Sequence, residues 1–177
     1  PINLSTTSPR ACYSEGKRIA ETLVYTFSKL NNLEVRLARI FNTYGPRLNI
    51  NDGRVISNFI NQCLRNKKLT IYGDGKQTRS FCYVDDMVEG LIRLMDSTYS
   101  LPVNLGNEQE TTISDLALLI KTKINQNIKI EYCDLPVDDP RFRNPCIEIA
   151  KNRLEWIPKI NLSEGLDKTI SFFYRNY

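Results

Sequence analysis

Tyr13 stands four residues before Lys17 in ACYSEGKRIAE (11–21). At that spacing on a helix, the lysine ammonium lies near the phenol and favours its phenolate form. A tyrosine acid/base of this kind suits a chain with no histidine, which excludes Ser-His-Asp and Cys-His nucleophilic machinery and the commonest metal ligand. The spacing alone is weak evidence, because chance predicts roughly half a Tyr-x-x-x-Lys match in this composition. The sequence has three: Tyr13/Lys17, Tyr25/Lys29 and Tyr72/Lys76. Gly73 and Gly75 put the third in a loop, where the two side chains need not meet. Tyr25 lies about 120° round the helix axis from Tyr13, so the first two pairs cannot serve one site.

The elements around these residues define a class. Residues 12–30 read as a helix, with Ile19, Leu23, Phe27 and Leu30 at helical spacing and Asn31-Asn32 as its stop. LEVRLARIF (33–41) reads as a strand following directly, the return half of a parallel crossover unit. Further helices are expected at 54–66, 83–97 and 111–124, the last capped near Thr112 or Ser114. Strands are expected at 69–73, 102–106 and 128–133, with short helices closing the chain. The alternation makes the class α/β. At most four strands are visible, and none of the eight glycines forms the G-x-G-x-x-G turn of a dinucleotide fold. Either the protein is not of that kind, or the sequence is the later portion of one.

Composition sets outer bounds. A chain of 177 residues, 41% hydrophobic and 25% charged, suits one domain with a sizeable core. No run approaches the length of a membrane span, and PINLSTTSPRA does not resemble a signal peptide. The five scattered cysteines form no C-x-x-C pair, which argues against a disulfide framework or a zinc site and favours a reducing compartment. The net charge of +4 comes without a basic block, so nucleic acid is a poor partner; a small anion held by a few arginines fits better.

Tyr13-Ser-Glu-Gly-Lys17-Arg18, ARIFNTYGPR (38–47), DGRVISNFI (52–60), LTIYGDGKQTRSFCYVDDMVEGL (69–91), PVNLGN (102–107) and DDPRFRNP (138–145) together resemble the extended short-chain dehydrogenase/reductase superfamily. Within it they are most similar to the UDP-glucuronate decarboxylase branch. The resemblance implies the later part of an NAD-binding Rossmann-like fold. Residues 1–50 would end that domain, and 51–177 would mainly bind the UDP-sugar, interleaved with the last of the sheet. It implies Tyr13 and Lys17 as the acid/base pair and as contacts to NAD, with Thr43 in the cofactor-contacting stretch.

Asn42 matches a residue facing the substrate, although a strand-end asparagine can equally hold a turn. Arg54, Arg79 and Arg143 come from three distant loops, as a diphosphate or carboxylate ligand requires. Arg143 matches an arginine near the reacting sugar. Tyr72 and Gln77 fall in the nucleotide pocket, with core packing the alternative for Tyr72. The implied reaction is decarboxylation of UDP-glucuronate to UDP-xylose through a 4-keto intermediate, with NAD recycled. The alternatives are an NDP-sugar 4,6-dehydratase or 4-epimerase, or a non-catalytic sugar-nucleotide-binding remnant.

The resemblance further implies a homodimer through the 12–30 helix. Its expected location is the cytoplasm, or the Golgi lumen if an anchor lies upstream. Two residues depart from the pattern: Cys146 and Ser14 stand where relatives usually have aspartate. The glycine-rich loop and the Thr/Ser-Ser-Glu stretch of the family precede the first residue here.

Overall fold

A single extended run, residues 38–44, organises one side of the molecule by changing partners along its length. In the computed structural model, which describes residue 7 and residues 11–134 and 144–176, helix α1 (Ala11–Asn31) is followed by strand β1 (Ala38–Ile40) and β2 (Thr43–Tyr44). Val103 N–H donates to Leu37 O and Phe41 N–H to Leu105 O, so odd-numbered residues face strand β6. Asn42 O instead accepts from Cys82 N–H, on the opposite edge, since successive residues point their backbone groups to alternate sides. The opposite edge of Ala38–Ile40 has no strand partner among the described residues.

Helix α2 (Val55–Leu64), strands β3 (Leu69–Tyr72), β4 (Thr78–Ser80) and β5 (Cys82–Tyr83), and helix α3 (Val84–Asp96) follow. Then come β6 (Val103–Leu105), β7 (Glu110–Thr112), α4 (Ile113–Ile124), β8 (Ile130–Cys133), α5 (Glu148–Leu154) and α6 (Leu162–Asn176). Strands β1 and β6, β2 and β5, and β3 and β8 pair in parallel, while β4 and β7 pair antiparallel. The expected class is therefore met, but the expected maximum of four strands is corrected to eight among the described residues. The four missed strands, β2, β4, β5 and β7, are two or three residues long. That is too short for a period of two to register. The strand expected over 33–41 contracts to three residues, and the final helix is a full 15 residues rather than a short one.

Two apolar clusters hold these elements. The larger joins α2, β3, α4 and α6 through Phe59, Ile60, Leu69, Ile71, Leu116, Ile120, Leu166 and Phe173, all essentially sealed from solvent. The smaller packs α3, α5 and β6 around Trp156, whose indole N–H donates to Asp86 O at 2.9 Å. Gly90 makes this packing possible, since a Cβ there would stand 2.9 Å from the indole. Helix α1 behaves differently: it buries only Ala11 and Ser28, and leaves Ile19, Leu23, Phe27 and Leu30 largely exposed.

Candidate active site

Six residues singled out from the sequence, Asn42, Thr43, Arg54, Tyr72, Gln77 and Arg79, line one cleft of about 470 Å³. They arrive from four places: the partner-changing run, the N-terminus of α2, the end of β3, and the β3–β4 turn with β4 itself. The volume falls in the usual range for a small-molecule site. Leu48, Val55, Ile56, Phe59, Phe81 and Ile113 supply an apolar floor that periodicity marked only as core. Among the described residues no carboxylate lines the cleft, so its two guanidinium groups favour an anionic occupant.

The polar groups are held by short local bonds. Asn42 Nδ2 donates to Ser80 O at 3.1 Å, a bond across to β4 rather than within a local turn. Asn42 also stands in the cleft wall. Thr43 Oγ1 donates to Phe41 O at 2.9 Å, and Gln77 Nε2 to Tyr72 O at 2.7 Å. Tyr72 is 50% exposed, so it is not packed in the core. Arg79 donates from Nη1 to Thr78 O at 2.7 Å, and Arg54 Nε lies 3.4 Å from Asp52 Oδ2. Cys82 stands close behind the wall, but burial pushes its thiol up to about 12, so it is no thiolate nucleophile at neutral pH. Burial likewise raises the Tyr44 phenol well above its ordinary value, leaving it a neutral part of the wall.

Tyr13 and Lys17 do not line this cleft. The lysine Nζ sits over the tyrosine ring, 5.7 Å from its centroid, and Lys29 does the same over Tyr25 at 5.4 Å. Local geometry therefore cannot choose between the pairs; their height on the fold can. Arg39 on β1 donates to both carboxylate oxygens of Glu21 on α1, at 2.7 and 2.6 Å, and so ties the antiparallel helix and strand at one level. From Glu21 back to Tyr13 is about 12 Å of helix, and from Arg39 forward to Asn42 is about 10 Å of strand. Tyr13 thus stands level with Asn42, at the carboxyl end of the parallel strands, where ligands of α/β sheets bind. Tyr25 lies about 6 Å the other way. Tyr13 is 68% exposed.

Arg143 lies outside the described residues. The segment just after it is anchored, however: Glu108 accepts from Ile147 N–H at 3.1 Å and pairs with Lys151, and Asn104 Nδ2 donates to Cys146 O at 2.9 Å. Cys146 is exposed and contributes its backbone rather than a carboxylate to this anchor. The neighbour of Arg54 that sequence reading missed is Asp52. Its signal was present, since an Asp-Gly pair just before a helix is a signature of a turn closed by the aspartate side chain.

The chain is 54% identical over 165 residues to UDP-glucuronic acid decarboxylase 1 of Xenopus tropicalis, covering 93% of this chain and 39% of that protein. It is 53% identical over 164 residues to UDP-glucuronic acid decarboxylase 3 of Arabidopsis thaliana, covering 93% and 48%. The chain thus spans less than half the length of these curated relatives. Among solved structures, UDP-glucuronic acid 4-epimerase from Bacillus cereus, in complex with UDP-glucuronic acid and NAD, superposes with a TM-score of 0.81 at 26% identity. That match covers 89% of this chain and 50% of the epimerase. The family described as NAD dependent epimerase/dehydratase matches residues 2–106. With that match over more than half its length, and with the fold and strand-end cleft described above, the chain belongs to the NAD dependent epimerase/dehydratase family.

Proposed function

We propose that the full-length protein decarboxylates UDP-glucuronate to UDP-xylose through a 4-keto intermediate. The observation that carries this reading is the cleft itself: two arginines, no carboxylate among its described lining residues, and an apolar floor. The identities above 50% to decarboxylases support the choice of reaction. In this reading residues 1–50 end the cofactor-binding unit and 51–177 mainly bind the sugar nucleotide.

Arg54 and Arg79 bind the diphosphate, Tyr72 and Gln77 the nucleoside, and Asn42 the sugar. Tyr13 Oη takes the proton from the sugar 4-hydroxyl, and Lys17 keeps a positive charge beside the ring. Arg143 serves the reacting sugar, where loss of CO2 from the 4-keto acid leaves an enolate that takes up a proton.

NAD fits the residues present only in part. Tyr13 and Lys17 form an exposed pair of the kind that would meet a nicotinamide ribose, and Thr43 lines the cleft, while none of the glycines forms a pyrophosphate-cradling turn. Bound NAD supplies the two-electron oxidation of the sugar and its later reversal. The edge of β1 that has no strand partner among the described residues is a surface on which a cofactor-holding unit would pack.

Helix α1 also supports a homodimer: Ile19, Ala20, Leu23, Val24, Phe27 and Leu30 fall within an arc of about 140°. That is wider than one buried stripe needs. Among the described residues no helix is long and apolar enough to cross a membrane. All five cysteines are free, which fits a reducing cytoplasm.

The test is to incubate full-length protein with UDP-glucuronate and follow CO2 and UDP-xylose. An epimerase would return UDP-galacturonate without CO2, and a non-catalytic remnant would bind UDP without turnover. Either outcome overturns the proposal. Sizing of the same preparation tests the dimer.

A further inference from the structure

Arg54 borders the cleft on a side chain that is 64% exposed, and a long exposed guanidinium samples many rotamers unless something holds it. Asp52 is built to hold it. Asp52 Oδ1 accepts from the backbone N–H of Arg54 at 2.9 Å and from the Ser57 hydroxyl. Asp52 Oδ2 stands 3.4 Å from Arg54 Nε. The carboxylate is itself only 17% exposed, and Ser57, which braces it, is buried. Gly53 completes the turn at φ +79°, a conformation that side chains with a Cβ rarely adopt. One carboxylate therefore hydrogen-bonds the backbone of Arg54 and stands at ion-pair distance from its guanidinium. Its contact uses the Nε edge, and the two Nη groups have no partner among the described residues.

We infer that Asp52 is a positioning residue for Arg54: it docks the guanidinium by its Nε edge and leaves the Nη edge for the paired oxygens of an anionic ligand. The inference rests on the proposed function, in which that ligand is the diphosphate of a sugar nucleotide. Attraction between Asp52 and Arg54 contributes little by itself, because solvent screens an exposed pair. The benefit lies in orientation, since a bidentate contact tolerates little angular error.

Asp52→Asn separates this role from turn formation. Asparagine keeps an oxygen for the Arg54 N–H and the Ser57 hydroxyl, but presents neutral chemistry to Nε. In full-length protein, D52N should raise KM for UDP-glucuronate about three- to tenfold, with kcat within about twofold and the melting temperature unchanged. In an Arg54→Ala background it should add nothing. Asp52→Ser, a second uncharged turn former, reports the same effect if the asparagine variant does not fold.

If R54A raises KM and D52N does not, the inference falls and the site stands. If D52N raises KM equally with and without Arg54, Asp52 acts independently and the inference also falls. If R54A leaves KM unchanged, the proposed site fails and the inference goes with it.

Discussion

Gly165→Ala sets two physical effects of opposite sign against each other. On an exposed helix this substitution stabilises by about 1 kcal/mol, because alanine loses less backbone entropy than glycine. Gly165 lies in the first turn of α6 and is buried under the cleft wall. A Cβ there would stand 2.1 Å from the Tyr44 hydroxyl, 2.8 Å from Tyr44 Cζ and 2.8 Å from Tyr83 Cδ2. Both rings are buried, edge to face with centroids 5.7 Å apart, and Tyr44 is tethered by a 3.3 Å bond from its hydroxyl to Leu162 O. Neither ring can retreat without moving the cleft wall that Tyr44 forms.

Overpacking of this kind costs up to about 3 kcal/mol, so the net expectation is a loss of about 2 kcal/mol. At about 2–4 °C per kcal/mol for a unit this size, the midpoint should fall by about 4–8 °C. Thermal unfolding of full-length protein, followed by circular dichroism, measures it. Adding Tyr44→Phe removes the atom in closest conflict and should recover about 1 kcal/mol relative to additivity. A G165A variant as stable as the parent, or more so, would refute the reasoning, because helix propensity would then have outweighed the clash.

Two smaller perturbations follow from named bonds. Thr112 caps α4, its hydroxyl accepting from Asp115 N–H at 3.0 Å, so T112A should lower stability by about 1 kcal/mol. It should move the urea midpoint without changing the slope. Glu21 is held below the usual carboxylate range by the hydrogen bonds from Arg39. Its folded value being the depressed one, its contribution is present above the ordinary carboxylate range and is lost as pH falls through the folded value. Glu21→Gln should therefore speed amide exchange along α1 at neutral pH and make no difference in strong acid. Slower or equal exchange at neutral pH would show that the ion pair does not secure α1.

Much of this protein was legible as text because it depends on local rules. The α1, α3 and α4 helices announce themselves by apolar spacing, and Thr112 by cap chemistry. The two- and three-residue strands β2, β4, β5 and β7 were not legible. Nothing in so short a stretch distinguishes a strand from a turn until a partner strand arrives. Asp52 could have been found from its turn signature, yet its second role, against the Arg54 guanidinium, appears only once the side chains are placed.

By itself the sequence determined which chemistry was available: tyrosine and lysine for proton transfer, arginines for an anion, and no histidine at all. Those are properties of residue types and need no coordinates. Tertiary structure decided which copies share a place. It gathered Asn42, Thr43, Arg54, Tyr72, Gln77 and Arg79 around one cleft, and excluded carboxylates from the cleft lining among the described residues. It separated Tyr13 from its look-alike Tyr25 through the level at which Glu21 grips Arg39. The two tyrosine–lysine pairs are alike in spacing and in ring contact. Only the crossover of an antiparallel helix and strand sets one at the carboxyl ends of the sheet and carries the other away.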